Sequence, residues 1–123
     1  MNTTRTTPPP STPNRSLTAH QLALEAGGTT VALALQLPAP LRTLADQLIR
    51  AASSVPANLA EGAGRAGRDR FHHWRIAYAS ALEADSHLRL LLRAGAVDAA
   101  AQGAIELFDR VRALTWRLIH PRR

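Results

Sequence analysis

One run, residues 50–65 (Arg-Ala-Ala-Ser-Ser-Val-Pro-Ala-Asn-Leu-Ala-Glu-Gly-Ala-Gly-Arg), constrains the fold more than any other part of the chain. Read as a helix together with the residues before it, it carries two stripes. Leu44, Leu48, Ala52, Val55 and Leu59 recur at three- and four-residue steps and make one apolar face. Arg50, Ser54, Asn58, Glu61 and Arg65 recur at the same steps and make a polar face. A helix with an ordered stripe of this kind makes specific hydrogen bonds to whatever packs against it. Gly62 and Gly64 are then expected to end the helix, because glycine enters left-handed conformations without strain.

The rest of the chain reads as helix too. Its 123 residues are enough for one domain with one modest core. The composition is 46% apolar but only 4% aromatic, and alanine and leucine, both strong helix formers, supply most of the apolar residues. No alternating Val/Ile/Thr run reads as a strand. With no cysteine, disulfides and thiolate metal sites are excluded. No uninterrupted apolar stretch is long enough to span a bilayer. The N-terminal basic residue is followed by Pro and Thr, not by the apolar core of a secretion signal. The expectation is a cytoplasmic, all-α protein without a membrane partner.

Residues 1–16 hold four prolines, five threonines, two arginines and no acid, and are expected to be a disordered tail. It reads either as a basic arm or as a plain solvated segment. Residues 17–120 form the bundle, and 121–123 a basic C-terminal tail. Helix 1 is expected from Ser16 or Leu17 to Gln36, capped by Ser16 or Thr18, with Leu17, Leu24, Val31 and Leu35 as its stripe and an interruption at Gly27-Gly28. Helix 2 spans Pro40 to Ala63. Pro56 inside it predicts a kink, with Ser53 or Ser54 helping to satisfy the freed carbonyl. Helix 3 begins at Gly67 or Arg68 and ends before Gly95. Phe71, Trp74, Tyr78, Ala81, Leu88, Leu91 and Leu92 form its apolar face; His72, Ser80, Glu83 and His87 lie on another. Helix 4 runs from Val97 or Asp98 to Ile119, on a stripe of Val97, Ala101, Ala104, Ile105, Phe108, Val111, Thr115 and Leu118. Short connections imply antiparallel neighbours, hence an up-down-up-down four-helix bundle.

The segment Ser54-Val-Pro-Ala-Asn-Leu-Ala-Glu-Gly62, followed by Gly64-Arg65, resembles the signature of bacterial four-helix-bundle proteins encoded in intervening sequences of large-subunit ribosomal RNA genes. The likeness extends upstream through residues 46–52. Downstream it takes in Phe71, Trp74, Ile76-Ala77, Ser80 and Glu83. Three positions depart from the pattern: Ala79 replaces a common Gly, Gly67 a Ser or Thr cap, and Arg70 an acid. The last two bear on the start of helix 3. The resemblance implies a small non-enzymatic protein, related to accessory proteins of diversity-generating retroelements. Those assemble as pentameric barrels and bind nucleic acid and a reverse transcriptase. For this chain it implies a homo-oligomer, most simply a pentamer, with nucleic acid (RNA or DNA) and a reverse transcriptase as partners.

Charge points the same way. The formal charge is +6 and all fifteen basic residues are arginine. The guanidinium fork binds phosphate oxygens bidentately, although arginine codon usage in a GC-rich genome also accounts for the absence of lysine. The positive sign favours anionic partners. Arg65, Arg68, Arg70 and Arg75 surround the turn between helices 2 and 3, opposed by Asp69. Arg110, Arg112, Arg117, His120, Arg122 and Arg123 form a second group. Each group reads as a phosphate-binding or as a solvated basic surface. Trp74 and Trp116 read as core or interface residues, so no exposed aromatic is expected to stack bases.

Chemistry is otherwise sparse. The glycines at 62, 64 and 67 spell a G-x-G-x-x-G that follows a helix and not a strand, the wrong setting for a dinucleotide loop. His72 and His73 diverge by about 100° on a helix and do not chelate one ion. Glu83 and His87 stand one turn apart and read as an intrahelical pair. Arg50, Ser54, Asn58, Glu61 and Glu83 are expected to fix helix register or subunit assembly, with no catalytic role. The reading is a protein without cofactor or metal, in one of two roles: an oligomeric basic scaffold for nucleic acid, or a protein-interaction module whose charge is incidental.

Overall fold

The computed structural model describes residues 14–122, so most of the expected N-terminal tail (residues 1–13) and Arg123 lie outside it. Four helices follow one another: α1 (Arg15–Leu35), α2 (Arg42–Ala63), α3 (Gly67–Arg93) and α4 (Ala100–Ile119), with a 3-10 turn at Ala39–Leu41. Each packs on its chain neighbour, and α4 returns to α1, which closes the four-helix bundle.

Local chemistry sets the boundaries. Asn14 caps α1 by accepting from the Leu17 amide (3.1 Å), so the cap falls two residues before the expected Ser16. Pro38 and Pro40 set the 3-10 turn before α2. Gly67 opens α3 at φ +63°, a backbone that an L side chain enters only with strain. Here a glycine replaces the side-chain cap. Gly95 (φ +72°) closes α3, where the Ala96 amide reaches the Leu91 carbonyl (2.9 Å) and the Gly95 amide that of Leu92 (3.1 Å).

The core lies along the bundle axis. Leu48, Val55, Leu59, Leu88, Leu91, Ile105, Phe108 and Val111 are fully buried, each worth about 1.5–3 kcal/mol of burial. Helix α1 is where the sequence expectation inverts. Its buried face is Ala19, Ala23, Ala26, Gly27, Thr30 and Ala34, while Leu17, Leu24 and Leu35 are 52%, 52% and 72% exposed. Thr30 turns its hydroxyl back to the Ala26 carbonyl (2.7 Å), so no polar atom is lost to the core. α1 is apolar on nearly every side, and the face that packs is the one of small residues.

Gly27 explains why. Pro56 lies inside the continuous helix α2 and offers no N–H to the Ala52 carbonyl. Neither serine fills the gap, because Ser53 donates to Arg50 O instead (3.1 Å) and Ser54 is engaged with α3. α1 comes in at this point: a Cβ on Gly27 would stand 3.3 Å from the Ala52 oxygen. The glycine pair therefore does not interrupt α1. Gly27 lets it approach the carbonyl that Pro56 leaves free.

Candidate functional site

The polar stripe of α2 divides in two. Its upper half forms a ladder to α3. The Asn58 amide nitrogen donates to Ser54 O (2.9 Å) and Ser54 Oγ (3.0 Å), and Ser80 on α3 donates to the same Oγ (2.9 Å). The Asn58 oxygen is left to accept from His73 Nδ1 (2.9 Å). An amide oxygen only accepts, so His73 carries its proton on Nδ1. In the sequence His73 is weighed only as a metal ligand beside His72 and is not paired with the α2 stripe. It lies two turns before Ser80, and that spacing on α3 was the available signal.

The lower half faces solvent. Glu61 pairs with Arg65 (3.0 Å), which reaches on to Asp69 in the first turn of α3 (2.6 Å), and all three side chains are about half exposed. The hydrogen bond from Arg65 holds the Asp69 carboxyl below its ordinary range, and the bond to Asp69 raises Arg65 in turn. Glu61 is therefore a surface residue whose pair with Arg65, one turn on, braces the turn. Glu83 is also exposed and lies 3.4 Å from His87. Arg50 is exposed.

The four arginines of the turn also divide. Arg65 is held as above. Arg70 folds back on the end of α2, donating to Gly62 O (3.1 Å) and Ala63 O (3.3 Å) with its guanidinium 5.4 Å from the Trp74 ring centre. A cation there meets the negative end of the α2 dipole. Arg68 and Arg75 are exposed and enter no ion pair among the described residues.

Topology then joins what the sequence keeps apart. The starts of α1 and α3 and the ends of α2 and α4 share one end of the bundle. A cleft of about 350 Å³ there is lined by Arg15, Arg70 and Arg117 around Phe71 and Trp74. Arg68 and Arg122 stand in the adjoining turn and tail. Part of the second basic group thus merges with the first. Arg112 does not: its side chain is 16% exposed and lies between Asp85 of α3 (3.4 Å) and Asp109 (2.6 Å). Asp85, which Arg89 also grips through both oxygens, is a buried acid that the sequence reading missed.

The two tryptophans part company. Trp74 is buried at 6% exposure and donates to Leu59 O (3.4 Å), whereas Trp116 is 51% exposed. Trp116 thus faces solvent in the single chain, which excludes its reading as a core residue and leaves its reading as an interface residue open to test. Among the described residues no group of three or more acids and histidines is placed to hold a metal, and no helix is long and apolar enough to cross a membrane.

Fold and site together define a small all-α bundle with an interhelical polar ladder and one basic end. The model of the 23S rRNA-intervening sequence protein family matches residues 15–116, and the chain belongs to that family. A solved structure of a protein of unknown function from the S23 ribosomal protein family of Bacteroides thetaiotaomicron has the same fold. Its TM-score is 0.77 at 21% identity, over 86% of this chain and 98% of that one. No curated protein matches the chain.

Proposed function

We propose that this protein is a non-enzymatic, self-associating scaffold whose basic end binds the phosphate backbone of RNA or DNA with little sequence preference. The observation that carries the reading is the gathering of Arg15, Arg68, Arg70, Arg75, Arg117 and Arg122 at one end of the bundle, with Glu61 and Asp69 there already paired to Arg65. A one-sided field of this kind steers polyanions and is screened by salt. Self-association is supported by α1. Leu17, Gln21, Leu24, Gly28, Val31 and Leu35 follow alternating steps of four and three along its outer face, the spacing of a helix seam. A second copy of the chain is the occupant that this seam fits. A ring, pentameric as the family resemblance implies, would repeat the basic end in each subunit and add avidity. A reverse transcriptase remains a partner suggested by that resemblance.

A salt titration tests the reading. On duplex DNA, log affinity should fall with log salt by about 0.9 for each phosphate neutralised. Arg68→Ala/Arg75→Ala/Arg117→Ala should bind more weakly and with a shallower slope. An unchanged slope in a variant that keeps its assembly removes the basic end from the interface.

A further inference from the structure

We propose that Arg75, Tyr78, Trp116 and His120 form a stacking platform for an unpaired base, so that the preferred ligand is single-stranded nucleic acid. The inference rests on the nucleic-acid reading above. It starts from a cleft of about 180 Å³ between α3 and the last turn of α4, floored by Ile119 and edged by these four residues. Three rings follow one another along it. Tyr78 and Trp116 have centroids 6.0 Å apart at 52°, and Trp116 and His120 are 3.7 Å apart at 31°. The stack ends in solvent, since Trp116 is half exposed and His120 exposed, and another planar ring can extend it.

The platform is held in shape before any ligand arrives. A carbonyl oxygen only accepts, so His120 Nδ1 donates to Trp116 O (3.1 Å), which fixes the imidazole against the indole. In the neutral ring this leaves Nε2 as an acceptor for a base edge. Arg75 supplies charge at the rim, and its guanidinium also lies 6.0 Å from the Phe71 ring centre. Among the described residues no acid lines the cleft. The cleft adjoins the basic end through Arg117 and Arg122, which flank His120 in the chain. Bases inside a duplex keep their faces covered, whereas unpaired bases offer them to aromatic side chains. Cation and rings side by side therefore favour a strand with free bases. Tryptophan, tyrosine and arginine also dominate protein contacts, which supplies the competing outcome.

The test compares the whole chain with Trp116→Ala and Trp116→Phe, using a short oligoadenylate single strand and a duplex of equal length. The single strand should quench the wild-type tryptophan emission. Trp116→Ala should lose about tenfold in affinity for the single strand, the scale of one stacked base, and Trp116→Phe much less. Duplex affinity should hold in both. Equal losses on the two ligands, or undiminished single-strand binding by Trp116→Ala, overturn the platform while leaving the basic end in place. A change of oligomeric mass in Trp116→Ala without loss of single-strand affinity assigns the cleft to a subunit contact instead. No binding of either ligand by the wild type at low salt removes the basic end and the platform together.

Discussion

At Gly62 a single hydrogen separates two helices. A Cβ there would lie 2.4 Å from Cδ1 and Nε1 of Trp74 and 3.1 Å from the Arg70 carbonyl. The indole cannot retreat without losing its bond to Leu59. Gly62→Ala should therefore destabilise the fold by about 1–3 kcal/mol, seen as a lower melting temperature in calorimetry. An unchanged transition would mean that the indole moves freely. The Ser54–Asn58–His73 ladder predicts a protonation pattern: nitrogen chemical shifts of neutral His73 should report the Nδ1–H tautomer. A dominant Nε2–H form would mean that the Asn58 amide is reversed. Glu61→Ala should leave the melting temperature nearly unchanged at neutral pH, because its pair is exposed and such pairs contribute little. The lowered Asp69 pKa adds a small stabilisation above the ordinary carboxylate range, lost as acidity reaches its folded value. The stripe itself was legible, since residues at helical steps share a face whatever surrounds them. Which of them were buried was not. That depends on the register of α3 against α2, which places His73 opposite Asn58 and leaves Glu61 in water.

Among the elements, α2 and the main apolar faces of α3 and α4 follow from their periodicity, and α1 does not. A stripe is informative only against a polar background, and α1 has apolar residues all round. Size misled as well: large leucines suggest a core face, but α1 closes on α2 through alanine, glycine and threonine. Its two glycines give a matched test. A Cβ on Gly28 would meet no atom of the described residues within 4 Å, so in the unassembled chain Gly28→Ala should stabilise by up to about 1 kcal/mol through helix propensity. Gly27→Ala has the same gain opposed by the Ala52 carbonyl, 3.3 Å from the new Cβ. Denaturant melts should place Gly27→Ala below Gly28→Ala. The reverse order would mean that α1 does not lean on the carbonyl that Pro56 frees.

On the scale of the whole molecule, the sequence separates two basic groups by more than thirty residues, and only the antiparallel path of the chain brings them to one end. The up-down-up-down order expected from the short connections already implies that convergence, whereas the loss of Arg112 to the α3–α4 contact was illegible. The outward seam of α1 carries the prediction for assembly. Leu24→Glu puts a charge at its centre without touching the core, since Leu24 is half exposed. Light scattering should show a smaller particle than wild type, with circular dichroism unchanged. A wild type that runs as a 13.3 kDa monomer at micromolar concentration would end the scaffold proposal in its self-associating form. A different consequence follows from the core. More than half of its buried apolar side chains are alanine. Systematic alanine replacement is therefore silent across much of the interior, and each effect it does record falls on the surface or on one of a few large side chains. The same scan that mixes folding defects with lost contacts in most domains becomes here a comparatively clean map of the outside.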